Sequence, residues 1–105
     1  MLDYDWRTVG DSMLRLLKSN QGLLSHTTVE HVKNYVAADE YEMTLEGLCL
    51  DLMHNPDLLL SDLEELGVLA KQVALDKESV YDPEFWTHFA EALEAKRLIS
   101  AASKA

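Results

Sequence analysis

The sequence predicts an all-α fold, a compact antiparallel bundle of about five short helices. Apolar residues recur three and four positions apart along almost the whole chain, which is the spacing of one helix face. No alternation of apolar and polar residues is long enough to indicate a strand. Serine, threonine or aspartate precedes several of the apolar stretches, where these residues cap helices. The 105 residues are enough for one hydrophobic core, so we predict a single domain over 1–105.

The first predicted helix covers about residues 4–19, and the second begins near Thr27. The polar segment 20–22, which ends in glycine, separates them. From Thr27 to Glu30 the residues have the spacing of a capping box, in which a hydroxyl and a carboxylate bind two amides of the first turn. Tyr35 is expected at the edge of the buried face. The faces predicted to be buried are Trp6, Val9, Met13, Leu16 and Leu17 in the first helix and Val29, Val32 and Val36 in the second.

The third helix is predicted to begin at Asp39 and to end before Asn55-Pro56, because the residue before a proline disfavours helical backbone. The fourth is predicted to begin at Ser61, since Ser61 and Glu64 form a second capping box. Their predicted buried faces are Tyr41, Leu45, Leu48, Cys49 and Leu52 in the third helix and Leu63, Leu66, Leu69, Ala70 and Val73 in the fourth.

Asp82 and Pro83 mark the start of the fifth helix, since aspartate caps a helix and the fixed φ of proline suits its first position. The segment 76–81 before them is a connector, and residues 101–105 are expected to fray. A cluster of aromatic residues follows the start at core spacing, and we favour burial over a binding platform for it. The cluster consists of Phe85, Trp86 and Phe89, followed by Leu93.

The charge is distributed unevenly along the chain. Between Asn34 and Ala70 there are nine carboxylates and no lysine or arginine, whereas the other 68 residues hold ten acids and nine bases. A surface of one sign attracts partners of the opposite sign. The net charge of -10 therefore disfavours direct binding to nucleic acid or to an anionic membrane. We predict a basic protein partner.

Part of this acidic stretch has a structural explanation. Acids in the first turn of a helix are favoured by about 0.3 to 1 kcal/mol through the helix dipole. This accounts for six of the nine: Asp39, Glu40, Glu42, Asp62, Glu64 and Glu65. Glu46, Asp51 and Asp57 have no such explanation. Two interpretations remain open, a solvated acidic face and an acidic face that binds a partner.

Residues that could support catalysis or bind a cofactor are not grouped in the sequence. The four glycines are isolated from one another, so there is no phosphate-binding loop. His26 and Glu30 have metal-ligand spacing, but no second histidine or cysteine pair is present to complete a tetrahedral site, so we expect no metal and no cofactor. The only cysteine, Cys49, falls on an apolar stripe beside carboxylates, where its thiol pKa would be raised and its reactivity suppressed. We predict that the protein is not an enzyme.

The expected location is the cytoplasm. The N-terminal residues are acidic and do not show the basic and then apolar pattern of a secretory signal. Uncharged apolar runs such as Leu58 to Leu60 are far too short to cross a bilayer. A lone cysteine that is predicted to be buried is also compatible with a reducing compartment.

Two neighbouring segments carry a resemblance to a protein family. Residues 32–36 read Val-Lys-Asn-Tyr-Val, and residues 40–52 contain Glu-Tyr followed by Leu-Glu-Gly-Leu. A helix that ends near an aromatic residue, followed by Glu-Tyr and Leu-Glu-x-Leu, resembles the central region of MafI-like immunity proteins of bacterial polymorphic toxin and contact-dependent growth inhibition systems. The match extends over about residues 23–76. It implies a small, non-enzymatic, cytoplasmic protein that binds one cognate toxin domain and blocks its active site or substrate path.

An acidic inhibitor of this kind is suited to a nuclease toxin, because it can occupy a basic substrate-binding surface and associate quickly with it. Leu58, Leu59 and Leu60 cannot all face the core, so we include Leu59 among the contacts. The predicted partner-binding residues are Glu40, Glu42, Glu46, Asp51, Asp57, Leu59, Asp62 and Glu65. The alternative is a small acidic helical adaptor or regulatory protein without a toxin partner, and self-association into a homo-oligomer is open in either case.

Overall fold

A computed structural model of the chain describes residues 6–37 and 40–103. Within these ranges five α-helices and one short 3-10 turn follow one another without a strand, which confirms the prediction of a small all-α bundle. The turn, at Gln21–Leu23, lies at the predicted break between the first two helices. The helices are α1 (Trp6–Ser19), α2 (His26–Ala37), α3 (Tyr41–Leu52), α4 (Leu60–Gln72) and α5 (Phe85–Ser103).

The core is one connected cluster of apolar side chains between the helices. Helix α1 lies against α2 and α3. Helix α2 packs on α3, α3 on α4, and α4 on α5. The predicted stripes are buried, with Trp86 and Leu93 half-buried at their edge; the side chain of Trp6 lies outside the described residues. Full burial of one large apolar side chain is worth about 1.5 to 3 kcal/mol, so this cluster provides most of the stabilisation.

The start of α2 corrects the predicted capping box. The helix begins at His26, and its cap is Ser25 instead of Thr27. The Ser25 Oγ accepts a hydrogen bond from the backbone N–H of Thr28 at 3.1 Å. This is the bond by which a capping serine satisfies an amide of the first turn. Several hydroxyl side chains are adjacent in this segment. The path of the preceding chain determines which of them caps α2.

The starts of α3 and α4 also differ from the predictions. Helix α4 begins at Leu60, and no side chain caps it, so the capping box predicted from Ser61 to Glu64 is wrong. Helix α3 begins at Tyr41 after Glu40, whose side chain makes no capping hydrogen bond. The predicted start at Asp39 lies outside the described residues.

The connector between α4 and α5 opens with a sharp turn. Ala74 has a φ of 64°, in the left-handed region that glycine usually occupies at the end of a helix. The N–H groups of Ala74 and Leu75 donate to the carbonyls of Lys71 and Ala70, at 3.0 and 2.8 Å. Leu75 is buried and provides the apolar contact that accompanies this Schellman motif. The chain therefore leaves α4 abruptly, and the connector returns to α3.

Helix α5 begins at Phe85, so the predicted start at Asp82 and Pro83 is about one turn early. Asp82 orders the turn before the helix, because its Oδ1 accepts the N–H of Glu84 at 2.9 Å and its carbonyl accepts that of Phe85 at 2.9 Å. The other end of α5 corrects a prediction. The helix continues to Ser103, so residues 101–103 do not fray. Alanine has the highest helix propensity, and the chain has two alanines here without a glycine or proline to stop the helix. Residues 104–105 lie outside the described part.

Asp82 also binds the first turn of α5 through His88, whose Nδ1 lies 2.6 Å from the Asp82 Oδ2. This hydrogen bond raises the pKa of His88 above its ordinary 6.5 and lowers the pKa of Asp82 below 3.8. A histidine with a raised pKa in the folded state stabilises the fold only while it is protonated. The contribution of His88 should be complete below about pH 6.5 and lost as the pH rises through the raised pKa. The contribution of Asp82 is lost on the acid side, below about pH 3.8.

An NMR titration of the imidazole protons tests this pair. We expect His88 to titrate above pH 6.5, the ordinary value for histidine, and its midpoint to fall in Asp82→Asn, which removes the carboxylate charge. Urea unfolding between about pH 5 and 8 should show a loss of stability with rising pH that is smaller in His88→Gln. A midpoint that does not respond to Asp82→Asn would contradict this assignment.

Candidate partner-binding surface

Two acids of α4 are neutralised by cations from other helices. Glu65 pairs with Arg15 of α1, and Glu64 pairs with Arg97 of α5 at 3.2 Å. Both arginines lie outside the base-free stretch of the sequence. The absence of lysine and arginine from residues 34–70 therefore does not create a cation-free surface on α4.

The dipole explanation for these acids applies to fewer of them than predicted. Of the described helices, α3 has Glu42 in its first turn and α4 has Asp62. Asp62 is half-buried and accepts a hydrogen bond from Asn20 Nδ2 at 3.2 Å. Two predicted contacts, Asp62 and Glu65, are thus half-buried and engaged within the chain.

Glu46, also predicted as a partner contact, is fully buried, and this prediction of an exposed site is wrong. Its carboxylate accepts three backbone N–H groups of the connector. The donors are Val80 at 2.5 Å, Tyr81 at 2.9 Å and Asp82 at 2.8 Å. A buried carboxylate is costly unless its oxygens receive hydrogen bonds, and here both oxygens do. Glu46 therefore attaches the connector to α3.

The neighbour of this carboxylate in the core is Cys49, which is fully buried as predicted. Burial raises the pKa of its thiol, and the negative charge of Glu46 raises it further. The thiol therefore stays protonated and is inert as a nucleophile.

Besides Glu46 and Asp62, which accept hydrogen bonds from uncharged groups, four described acids of the stretch form no ion pair, namely Glu40, Glu42, Asp51 and Asp57. Glu42 is half-buried and the other three are exposed. Glu40 and Asp51 lie on the same side of α3, since eleven residues amount to about three turns and roughly 16 Å of helix. Leu59, predicted to be on the surface, is 65% exposed, whereas Leu58 is buried.

A groove of about 200 Å³ follows this side of α3. Met43, Gly47 and Leu50 of α3 form its floor, Tyr35 stands on α2 at one side, and Tyr81 of the connector completes it. Tyr81 is 54% exposed. The backbone bond to Glu46 holds this tyrosine beside α3.

The polar rim of the groove is ordered by a short chain of hydroxyl groups. The Ser25 Oγ donates to the Thr28 Oγ1 at 2.9 Å, and the Thr28 Oγ1 donates to the Asp51 Oδ2 at 3.0 Å. The ring of His31 lies 5.9 Å from that of Tyr35 and lines the same groove. The sequence singled out Asp51, and the aromatic part of this surface was missed. A tyrosine within a connector, off any core stripe, was the available signal for Tyr81.

Charge around the groove is negative. Burial raises the pKa of Tyr81, and the nearby Tyr35, Glu46 and Glu40 raise it further. None of the described residues that line the groove is lysine or arginine. A second groove, of about 380 Å³ between α4 and α5, differs in this respect because Lys71 and Arg97 line it together with Glu64 and Glu94. Of these two grooves, only the first combines exposed tyrosines with an acid, Asp51, that forms no ion pair within the described residues.

The described ranges lack a metal site and a membrane-spanning helix. Residues 6–37 and 40–103 contain no group of three or more histidine, cysteine, aspartate or glutamate side chains arranged to hold a metal ion. None of the helices in these ranges has the length and apolar character needed to cross a membrane.

The fold and the surface thus define a small all-α bundle with an acidic groove edged by tyrosines. No family model, curated protein or solved structure matches the chain.

Proposed function

We propose that this chain is an immunity-type binding protein that neutralises a basic toxin domain, as the resemblance of residues 23–76 implies. The observation that carries the proposal is the charge of Glu40, Asp51 and Asp57, exposed carboxylates without an ion-pair partner in the described ranges. Such charges steer a basic protein toward the surface and speed its association. A nuclease domain, whose substrate-binding surface is basic, fits this charge best.

Charge sets the rate of encounter, and affinity depends on a few side chains that become fully desolvated. Tyrosine is enriched at such positions because it buries a large apolar ring and keeps a polar hydroxyl. Tyr35 and Tyr81 beside the acids, together with Leu59, are the described exposed residues that suit this role.

Co-expression tests the proposal directly. The toxin domain to use is the variable C-terminal domain of a large secreted protein encoded next to the gene for this chain. We expect the domain to arrest growth when expressed alone and to be harmless when expressed with this protein, and the two purified proteins to form a complex. Arrest that persists on co-expression, without a complex in the purified mixture, would reject the proposal.

Charge reversal tests which acids speed the association with the toxin domain. We expect Glu40→Lys with Asp57→Lys to slow association with the toxin domain by roughly tenfold at low salt, because the steering field is lost. The difference from wild type should shrink above about 0.15 M salt, where the screening length is about 8 Å. Stopped-flow mixing measures both effects. The matched control is Glu91→Lys with Glu94→Lys on α5, exposed acids with the same change in net charge. An equal loss in both variants would assign the effect to net charge alone.

The alternative is an acidic helical adaptor that acts as a homodimer. The observation that favours it is a pair of apolar side chains near the end of α5, Leu98 and Ile99, which are 63% and 68% exposed. Light scattering over a range of protein concentrations separates the two functions. A mass that doubles with concentration, together with no toxin binding, would support the adaptor.

A further inference from the structure

We propose that the groove between α2, α3 and the connector receives one arginine side chain of the partner protein. The proposal rests on the proposed function only for the source of the arginine. The groove measures about 200 Å³, more than the roughly 150 Å³ cavity that holds a benzene ring. It is smaller than the roughly 300 to 1,000 Å³ of pockets for small-molecule ligands. Its size therefore suits one long side chain.

The chemistry of the lining matches a guanidinium group. Tyr35 and Tyr81 present rings from two different walls, and arginine stacks on aromatic faces better than lysine because its charged group is planar. Asp51 lines the rim, and its Oδ2 is held by Thr28. The Asp51 Oδ1 forms no bond within the described residues, so the carboxylate can accept a pair of N–H donors.

The groove is preformed because Glu46 fixes the wall that carries Tyr81. The buried carboxylate binds the N–H groups of Val80, Tyr81 and Asp82. A tyrosine at this position in a free connector would have to be ordered on binding, and that ordering weakens affinity. Glu46 is therefore a positioning residue for the groove, whereas Asp51 and the tyrosines are the contacts.

Gly47 on the floor offers a way to block the groove without disturbing the core. A Cβ built on Gly47 has no heavy atom within 4 Å, so a side chain there enters open space. Glycine is also a poor helix former, so the replacement should not unfold α3. Gly22 has the same open surroundings in the 3-10 turn, away from the groove. Gly47→Phe and Gly22→Phe are thus a matched pair.

Arginine amide, added to the isotopically labelled protein, is the probe. We expect chemical-shift changes at the amides of Gly47, Asp51 and Tyr81 that saturate with a Kd of about 1 mM, an affinity typical of a ligand with about a dozen non-hydrogen atoms. Citrulline amide has nearly the same shape but lacks the guanidinium charge, and it should bind at least about tenfold more weakly. The affinity of lysine amide should lie between those of arginine amide and citrulline amide. Equal binding of citrulline amide, or no shifts at these amides with arginine amide, would overturn the proposal.

The variants complete the test. Gly47→Phe, with unchanged circular dichroism, should abolish the shifts, and Tyr81→Ala should weaken binding at least about threefold; Gly22→Phe should bind as wild type does. Arginine amide binding that persists in Gly47→Phe would place the ligand elsewhere and reject the groove. A toxin complex that forms equally with Gly47→Phe would leave the proposed function intact and reject the arginine contact. Arginine binding in the groove without neutralisation of any toxin would reject only the proposed function.

Discussion

Replacing Glu46 with alanine should lower the free energy of unfolding by about 3 kcal/mol. The change leaves three connector N–H groups without their acceptor, and each unsatisfied buried donor costs about 1 to 3 kcal/mol. Val80 and Tyr81 have exposed side chains, so water can reach part of a loosened connector and the cost per amide should lie near the lower limit. For a domain of this size, about 3 kcal/mol corresponds to a melting temperature at least about 10 °C lower.

Urea unfolding followed by circular dichroism measures this loss. Glu42→Ala is the matched control, because Glu42 lies one turn earlier on α3 and is half-buried without a connector bond; its cost should stay within the roughly 0.3 to 1 kcal/mol of a first-turn acid. The loss of stability in Glu46→Gln should lie between those of the two alanine variants. The amide retains one acceptor oxygen but places an NH₂ group against backbone donors. A loss in Glu46→Ala no larger than that in Glu42→Ala would show that the three bonds do not stabilise the fold.

Local measurements separate the positioning role from general destabilisation. In Glu46→Gln the backbone amides of Val80, Tyr81 and Asp82 should exchange with solvent much faster, whereas the amides of α1 keep their protection, because only the connector loses its anchor. Arginine amide should also bind more weakly, as Tyr81 is no longer held beside Gly47. Uniform loss of protection would instead indicate global destabilisation.

The burial of Glu46 could not be predicted from the sequence, although the helix around it could. Periodicity identified Leu45 and Leu48 as core because their spacing is local to α3. The groups that cover Glu46 lie 34 to 36 residues further along the chain. Nothing in the local pattern says which polar position of a helix a returning connector will cover. For this reason one carboxylate was predicted as a surface contact and is instead part of the scaffold.

The distribution of charges along the sequence did not predict the surface charge of α4, for the same reason. Glu65 meets Arg15, 50 residues away, and Glu64 meets Arg97, 33 residues away. Helix packing thus brings cations to a segment that contains none in its own sequence. Within residues 34–70, the described exposed acids that remain without a cation lie on or near α3, and the tyrosines beside them come from α2 and the connector. The candidate site is therefore a product of tertiary structure, and the sequence predicted only its charge.

The second large effect should come from Phe89→Ala, which we expect to cost about 3 to 5 kcal/mol. Phe89 is fully buried. Its ring centroid lies 5.7 Å from that of Phe85 and 5.6 Å from that of Trp86. On α4 it packs against Gly67, where a Cβ would lie 3.0 Å from the Phe89 ring. The glycine thus lets the ring approach the backbone closely, and its removal leaves a cavity that neighbouring side chains cannot readily fill.

The pattern of this loss is as informative as its size. Helix α5 packs chiefly on α4, so removal of the ring should release α5 before the rest of the bundle. Hydrogen exchange should accelerate along α5 while the amides of α2 and α3 stay protected. Trp86→Ala is the control, because Trp86 is half-buried and should cost less. Arginine amide should still bind to Phe89→Ala, since α5 does not line the groove; loss of that binding would mean that the groove and the α4–α5 contact form one cooperative unit.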